Sequence, residues 1–262
     1  MTMRFTILGC GSSGGVPRLG GHWGACDPEN PKNRRRRCSL LVERDGPDGT
    51  TTVLIDTSPD MREQLLSADV SRLDGVLYTH EHADHVHGID DLRMIVINMR
   101  ERVNVWANST TKASLLKRFD YVFMQPEGSS YPPILNLNDL DGDVTVEGPG
   151  GPITLKPFNA NHGNIDALGF RIGDLAYLPD VVQFYDETWD ALKDLDTLII
   201  DALRRDPHPS HSHLENTLEW IEQLKPNHAV ITNMHLDLDY DTVAAETADH
   251  ITPAFDGMVI TR

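Results

Sequence analysis

The segment Thr79–His85 concentrates the residue types that bind metal ions, with His80, His82, Asp84 and His85 falling within six residues directly after an apolar run. Residues two apart in extended chain point the same way, so the imidazoles of His80 and His82 can hold one cation together. Asp84 and His85 lie on the next bend, where they can face a second cation. The alternative is a solvated polar loop, and the density of imidazoles favours metal binding over it.

Three more residues of metal-binding type follow other apolar runs in the sequence. His162 comes after Ile153–Phe158, Asp180 after Leu175–Leu178, and His235 after Ala229–Thr232. Open α/β sheets gather their ligands just beyond the carboxyl ends of strands. Each of these residues alone fits an ordinary loop position, but together with the first cluster they complete two coordination shells.

The elements that must position these residues alternate between strand and helix in both halves of the chain. In the first half we predict strands at Phe5–Leu8, Ser39–Glu43, Thr52–Ile55, Gly75–Tyr78 and Val103–Ala107, with helices at Met61–Ala68, Leu92–Met99 and from Ser109 or Thr110 to about Tyr121. In the second half we predict strands at Val144–Glu147, Ile153–Phe158, Gly169–Ile172, Leu175–Leu178, Asp196–Ile200 and Ala229–Thr232, with helices at Leu214–Leu224 and Asp241–His250. Two sets of strands flanked by helices predict a layered α/β sandwich with the helices outside. No low-complexity linker separates the halves, so residues 1–262 are expected to form a single domain.

Charge and cysteine content narrow the class of partner and the compartment. The 40 acidic and 23 basic residues give a net charge of -17, which argues against a protein that coats long nucleic acid. A small anionic substrate remains compatible, because bound divalent cations invert the local field. The odd, low count of cysteines (Cys10, Cys26 and Cys38) favours a reducing compartment over a disulfide framework. With no run of about 20 apolar residues, we expect a cytoplasmic protein without a membrane partner; the oligomeric state is not predicted.

The order of these motifs resembles the metallo-β-lactamase superfamily. The matching positions are Asp56 in Leu54–Thr57, the His-x-His-x-Asp-His run at 80–85, His162, Asp180 and His235. The resemblance implies an αββα four-layer sandwich, the metallo-β-lactamase fold, with two divalent metal ions at the edge between its halves. It also implies that His80, His82 and His162 bind the first ion, that Asp84, His85 and His235 bind the second, and that Asp180 bridges them.

Two further implications concern neighbouring roles and the type of chemistry. Asp56 would orient the loop or a ligand imidazole. Superfamily members that run redox chemistry at two irons usually carry an acid where His82 stands, so the histidine favours hydrolysis.

Within the superfamily the chain is similar to phosphoribosyl 1,2-cyclic phosphate phosphodiesterases in three stretches: Leu8–Pro17, Arg37–Leu41 and Pro207–His211. This similarity implies that His211, or its near competitor His213, donates a proton to the leaving group. Two cations that share a water lower its pKa toward neutrality, which supplies a bridging hydroxide for in-line attack on phosphorus. We therefore expect a two-metal phosphodiesterase acting on a small (cyclic) phosphodiester of ribose or nucleotide type. Its ions are expected to be Zn²⁺ or Mn²⁺, and its catalytic residues His211, Asp84 and His213.

The sequence departs from that family in the loop after the first strand. The phosphodiesterase holds an extra structural zinc with a cysteine cluster there, whereas Gly21–Cys26 contains one cysteine. We expect no structural zinc, and expect His22 and Cys26 to pack the loop. The basic run Arg34–Arg37 is interpreted as solvated or salt-bridged rather than phosphate-binding.

Three alternative functions stay open. An RNase Z-like endonuclease is disfavoured by the acidic charge and because only 17 residues (180 − 162 − 1) separate His162 from Asp180, which leaves no room for a tRNA-binding arm. A thioester or lactam hydrolase is a second alternative, since a metal hydroxide also attacks carbonyls. A non-catalytic nucleotide-binding protein is the third, and the intact ligand set argues against it.

Overall fold

The computed structural model describes residues 2–262 and groups them into two compact units, each assembled from separate stretches of the chain. The first unit takes in the chain up to Leu8, Ser39–Thr154 and Val259–Arg262, and the second takes in Gly9–Cys38 and Leu155–Met258. Two seven-stranded mixed sheets flanked by helices are present, as the α/β pattern predicts. The single-domain organisation stays a prediction.

The first sheet has the strand order β14-β1-β2-β3-β4-β5-β6, with strands numbered along the chain. Its strands are β1 (Met3–Gly9), β2 (Ser39–Gly46), β3 (Gly49–Ile55), β4 (Gly75–Leu77), β5 (Val103–Ala107), β6 (Leu135–Asp139) and β14 (Met258–Thr261). A tight turn joins β2 to β3 as an antiparallel hairpin, and β3 to β6 run parallel. Because β3 and β4 are parallel neighbours, their carboxyl ends lie side by side, and Asp56 and Thr79 follow those ends.

Helices α1 (Met61–Ser67), α2 (Ala83–Val86), α3 (Leu92–Met99) and α4 (Ser109–Phe123), with a 3₁₀ turn at Ile89–Asp91, complete the first unit. The apolar sides of α1, α3 and α4 pack on the sheet through buried residues that include Leu65, Ile95 and Leu115. Helix α4 is capped by Asn108, whose side chain accepts a hydrogen bond from the Thr111 N–H. The N-cap is therefore one residue before Ser109, the earlier of the two predicted starts of this helix.

The second sheet has the order β13-β12-β11-β10-β9-β8-β7. Its strands are β7 (Val144–Val146), β8 (Ile153–His162), β9 (Ile165–Ile172), β10 (Leu175–Leu178), β11 (Thr197–Asp201), β12 (His228–Thr232) and β13 (Ile251–Pro253). Strands β8 to β10 are antiparallel, while β10 to β13 run parallel. Every residue of β10 and β11 is buried, which explains why their sequences are largely apolar.

Helices α5 (Asp186–Ala191), α6 (Leu214–Leu224) and α7 (Tyr240–Glu246), with a 3₁₀ turn at Pro31–Asn33, belong to the second unit. Helix α6 buries Leu214, Thr217 and Ile221, residues three or four apart that form one face. It ends at Lys225, which adopts a left-handed conformation before Pro226. Across residues 2–262, no helix is both long enough and apolar enough to cross a bilayer.

Two element boundaries differ from the predictions in ways that matter for the site. Strand β8 runs on to His162, because β9 pairs with it along its whole final stretch, so His162 ends a strand instead of lying in a loop beyond Phe158. The final helix stops at Glu246 and not at His250, because the chain then turns to add β13 beside β12.

Candidate metal centre

The first unit brings three of the predicted histidines together just beyond β4. The rings of His80 and His82 have centroids 4.6 Å apart, and those of His80 and His85 are 4.3 Å apart. His80 and His85 are buried, whereas His82 is exposed. Asp84 and His85 lie on α2, and a carboxylate oxygen of Asp84 is 3.6 Å from Nε2 of His85. The first unit thus presents a preassembled group of imidazoles with one adjacent carboxylate.

Asp56 fixes the orientation of this group from beneath. Its carboxylate accepts hydrogen bonds from the Thr79 N–H (2.8 Å), the Thr79 hydroxyl (2.7 Å) and Nδ1 of His85 (2.8 Å). Burial raises the pKa of Asp56, and the hydrogen bonds from His85 and Thr79 oppose that rise. The backbone of Asp56 has φ of 65°, a left-handed value that costs energy for a non-glycine residue and is held here by these bonds. Because Nδ1–H of His85 donates to Asp56, the lone pair of the ring lies on Nε2, which points away from the Asp56 carboxylate.

The second unit contains its own cluster of metal-binding residue types. His162, Asp180 and His211 each offer a ligand atom within 4.8 Å of the other two. The His162 and His211 ring centroids are 4.6 Å apart, and Nε2 of His162 is 3.9 Å from an Asp180 oxygen. Nδ1 of His162 donates to the backbone oxygen of Ser210 at 2.6 Å. His211 therefore lies with predicted ligands, which fits either a ligand or a proton donor.

Asp201 is a functional candidate that the sequence reasoning missed. It is the last residue of β11, and its carboxylate accepts a hydrogen bond from Nδ1 of His211 at 2.8 Å. Burial raises the pKa of Asp201, the His211 ring opposes that rise, and the nearby charge of Asp180 adds to it. The signal was present in the sequence, since Asp201 directly follows the apolar run of a strand, as Asp180 nearly does.

His235 lies on the loop after β12 and is held on both ring nitrogens. Nδ1 donates to Asp237 at 2.6 Å, and Nε2 accepts from the Arg18 guanidinium at 2.5 Å. Burial by itself would raise the pKa of Asp237, but its hydrogen bonds, with that from His235 the strongest, bring the pKa below its usual value.

Arg35 holds the backbone of the loop that carries His235. Its guanidinium is buried and donates to the carbonyl oxygens of His235 (3.3 Å) and Leu238 (2.7 Å). The interpretation of the basic run as solvated is therefore wrong for Arg35. The salt-bridged alternative holds for Arg36, whose Nε lies 2.9 Å from Asp256.

The donor set fits divalent metal ions. Among the histidines described above, five have Nδ1 hydrogen-bonded to an oxygen, and these are His80 (to the Thr79 hydroxyl at 2.9 Å), His85, His162, His211 and His235. A metal-binding histidine typically donates its other ring N–H in this way, which leaves Nε2 as the ligand atom. Imidazole nitrogens combined with carboxylate oxygens suit both zinc and manganese.

Other predicted residues lie apart from these clusters. His213 is the N-cap residue of α6, and within residues 2–262 no hydrogen bond joins its ring to His211 or its neighbours. This placement favours His211 over His213 as the proton donor. Cys26 packs against the Leu238 carbonyl and the Arg35 guanidinium, as expected for a loop-packing residue. The absence of a structural zinc stays a prediction.

Comparisons with known proteins give the family. A profile described as "Beta-lactamase superfamily domain" matches residues 51–234. The chain is 35% identical over 261 residues to a Porphyromonas gingivalis protein named octanoyltransferase, covering 98% of this chain and 51% of that one, so it spans about half the length of this relative.

Two solved structures extend the comparison to the whole fold. A structure described as a new diphosphatase from the PhnP family has a TM-score of 0.89 and 34% identity, covering 100% of this chain and 98% of that chain. Zn²⁺-bound PqqB from Methylobacterium extorquens has a TM-score of 0.75 at 18% identity, covering 98% and 99%, which shows likeness of fold alone. The chain therefore belongs to the β-lactamase superfamily and has the metallo-β-lactamase fold, with histidine and aspartate groups that could hold a metal ion.

Proposed function

We propose that the protein is a two-metal phosphodiesterase that hydrolyses a small phosphoric diester or diphosphate diester of ribose or nucleotide type. The observation that carries this proposal is the His211–Asp201 pair, which adds an oriented acid–base group to a cluster of metal-binding residues. The thiolate that leaves in thioester hydrolysis departs without a proton, whereas an alkoxide leaving group needs one. The full-length likeness to a diphosphatase at 34% identity supports the same substrate class.

In this proposal the chain binds two ions, Zn²⁺ or Mn²⁺. His80, His82 and His162 bind one ion, Asp84, His85 and His235 bind the other, and Asp180 bridges them. The support is the hydrogen bonding of Nδ1 in His80, His85, His162 and His235, which makes Nε2 the atom that can bind a metal ion, that of His235 once Arg18 leaves it.

The chemistry divides between the ions and the chain's own residues. When bound, two divalent ions lower the pKa of a water between them and neutralise the nonbridging oxygens of the phosphate. Asp56 keeps His85 in the tautomer that offers Nε2, and Asp237 does the same for His235. Asp201 holds Nδ1–H of His211, so that the proton on Nε2 is the one that passes to the departing oxygen.

The test compares metal-loaded protein on four substrates: bis(p-nitrophenyl) phosphate, p-nitrophenyl phosphate, an octanoyl thioester and a chromogenic β-lactam. We expect turnover of the diester to exceed that of the others. His211→Ala is expected to keep the metal content and lose about 10²- to 10⁴-fold in kcat on a diester whose leaving group is an alkoxide, while the matched His213→Ala keeps both. Two ions per chain without diester turnover would refute the proposed function. Loss of metal in His211→Ala, with turnover per bound metal unchanged, would instead make His211 a ligand.

Acyl hydrolysis is the second candidate, because the Porphyromonas gingivalis relative carries the name octanoyltransferase. That relative is about twice as long as the matched region, so its name does not identify the activity of this part. Preferential turnover of the octanoyl thioester in the panel above would favour this candidate. An RNase Z-like activity remains disfavoured by the net charge of -17.

The proposed setting is the cytoplasm, with a small anionic substrate and no long nucleic acid. Three buried, unoxidised thiols, Cys10, Cys26 and Cys38, support a reducing compartment.

A further inference from the structure

Arg18 lies in a short, well-defined hairpin in the loop after β1. The Arg18 N–H donates to the His22 carbonyl at 3.0 Å, and the Gly21 N–H donates back to the Arg18 carbonyl at 3.0 Å. The next residue, Leu19, is 98% exposed, so the hairpin projects from the second unit. Its backbone is therefore held while the side chain of Arg18 remains exposed to solvent.

The side chain lies across the glycine-rich turn that precedes it. A Cβ at Gly14 would stand 3.2 Å from Nε and 3.4 Å from Cγ of Arg18, tighter than an ordinary van der Waals contact. Glycine at this position gives the arginine room to lie along the turn toward His235. The glycine at position 14 thus has a packing reason in this fold.

The guanidinium of Arg18 donates to Nε2 of His235 at 2.5 Å. Across residues 2–262 it forms no ion pair with a carboxylate, although acidic residues outnumber basic ones by 40 to 23. Arg36 and Arg205, by contrast, are paired with Asp256 and Glu246. Because Arg18 has no carboxylate partner among the described residues, its positive charge is available to an anionic ligand.

Nε2 of His235 is also the atom that the proposed function gives to a metal ion. A single lone pair cannot serve both the guanidinium and the ion, so Arg18 must leave this nitrogen when the ion binds. Its hairpin backbone keeps it within one side-chain length of the same place. A ligand beside His235 would contact two positive groups. One is the metal ion, and the other is the planar Arg18 guanidinium, whose paired N–H donors match the oxygens of a phosphate.

We propose that Arg18 binds the second, non-attacked phosphoryl group of a substrate that carries two linked phosphoryl groups, and so selects diphosphate diesters over simple phosphodiesters. This inference rests on the proposed function and specifies its substrate class. In the reaction the water oxygen joins one phosphorus, the bridging P–O bond breaks, and the departing phosphate monoester takes up the proton. Arg18 touches the departing group, which makes it a specificity-determining residue.

The test uses two probes that differ by one phosphoryl group, P¹,P²-di(p-nitrophenyl) diphosphate and bis(p-nitrophenyl) phosphate, on metal-loaded protein. Arg18→Ala is expected to raise KM for the diphosphate probe about 10- to 100-fold and to change KM for the other probe less than about twofold. Arg18→Lys should recover part of the loss, because it restores charge without the fork. The matched control is Arg34→Ala, which removes an exposed charge that lies over the Trp23 ring and should leave both values unchanged.

A second readout does not depend on turnover. Calorimetric binding of inorganic pyrophosphate to the metal-loaded protein should weaken about 10- to 100-fold in Arg18→Ala, while orthophosphate binding and metal affinity do not fall. Equal effects on both probes, or unchanged pyrophosphate binding, would overturn the assignment. If the wild-type protein hydrolyses neither probe, the proposed function fails, and the pyrophosphate measurement still decides the role of Arg18.

Discussion

Replacing Asp56 with asparagine exchanges one carboxylate oxygen beside His85 for an NH₂ group. Asparagine tolerates the left-handed backbone at this position, where φ is 65°, so the fold should accept the change. The amide oxygen can still accept from the Thr79 N–H, but the NH₂ group then faces Nδ1 of His85, which presently donates at 2.8 Å. Two donors cannot face each other in a fully buried site, so His85 must move its proton from Nδ1 to Nε2.

The size of the effect follows from the role of Nε2. A protonated Nε2 has no lone pair for a metal ion, so His85 would have to bind the ion against its favoured tautomer. Loss of a carboxylate that orients a ligand histidine typically lowers metal affinity about 10- to 100-fold, or about 1.4–2.7 kcal/mol. We expect Asp56→Asn to lose one metal ion at chelator concentrations that leave the wild-type protein loaded.

The assay is metal content by mass spectrometry after dialysis against graded chelator, with thermal unfolding of the metal-free protein as a check on folding. The matched control is Asp256→Asn, another largely buried aspartate, whose carboxylate accepts from Arg36 and Cys10 and contacts no histidine. Wild-type metal retention by Asp56→Asn, or equal metal loss in both variants, would refute the tautomer argument.

Two further predictions concern the loop of His235 and the helix that follows it. Arg35→Met leaves the carbonyls of His235 and Leu238 without their hydrogen-bond donor. It should therefore lower the free energy of unfolding by about 1–3 kcal/mol and weaken metal retention. Unchanged stability in a denaturant titration would contradict this prediction. Burial of Asp239 opposes its ionisation, but hydrogen bonds at the start of α7 and in the adjacent loop lower its pKa from 3.8 to about 2. The stability that its charge contributes is therefore present above pH 3.8 and lost as the pH falls toward 2. In metal-free protein, thermal unfolding should show Asp239→Asn destabilised at neutral pH and converging with wild type between about pH 4 and 2. A difference in stability that stays constant over this range would contradict the prediction.

Local sequence pattern predicts which polar residues follow the end of a buried strand. The run from His80 to His85 follows an apolar strand, and the same rule located Asp180 and His235, because a buried strand reads as apolar and its polar successor stands out. The same rule applies to Asp201, which directly follows the predicted strand Asp196–Ile200 and was not singled out.

What the sequence could not provide is contact between distant residues. Arg35 reads as one of four arginines in a polar run, yet its guanidinium meets carbonyls 200 and 203 residues away. Arg18 likewise contacts a ring 217 residues away. Strand β13 was also missed, because three residues carry too little periodicity, and their pairing with β12 is what defines them. Burial of a charged group or of a short strand depends on its partner, and local composition does not encode the partner.

The most direct test of the central claim is a metal titration of chelator-stripped protein. Turnover of bis(p-nitrophenyl) phosphate and bound metal per chain are followed together as Zn²⁺ or Mn²⁺ is added. The proposed function predicts that two ions bind per chain and that turnover reaches its maximum only with the second. Full turnover with one ion or none, or two bound ions without turnover, would contradict it.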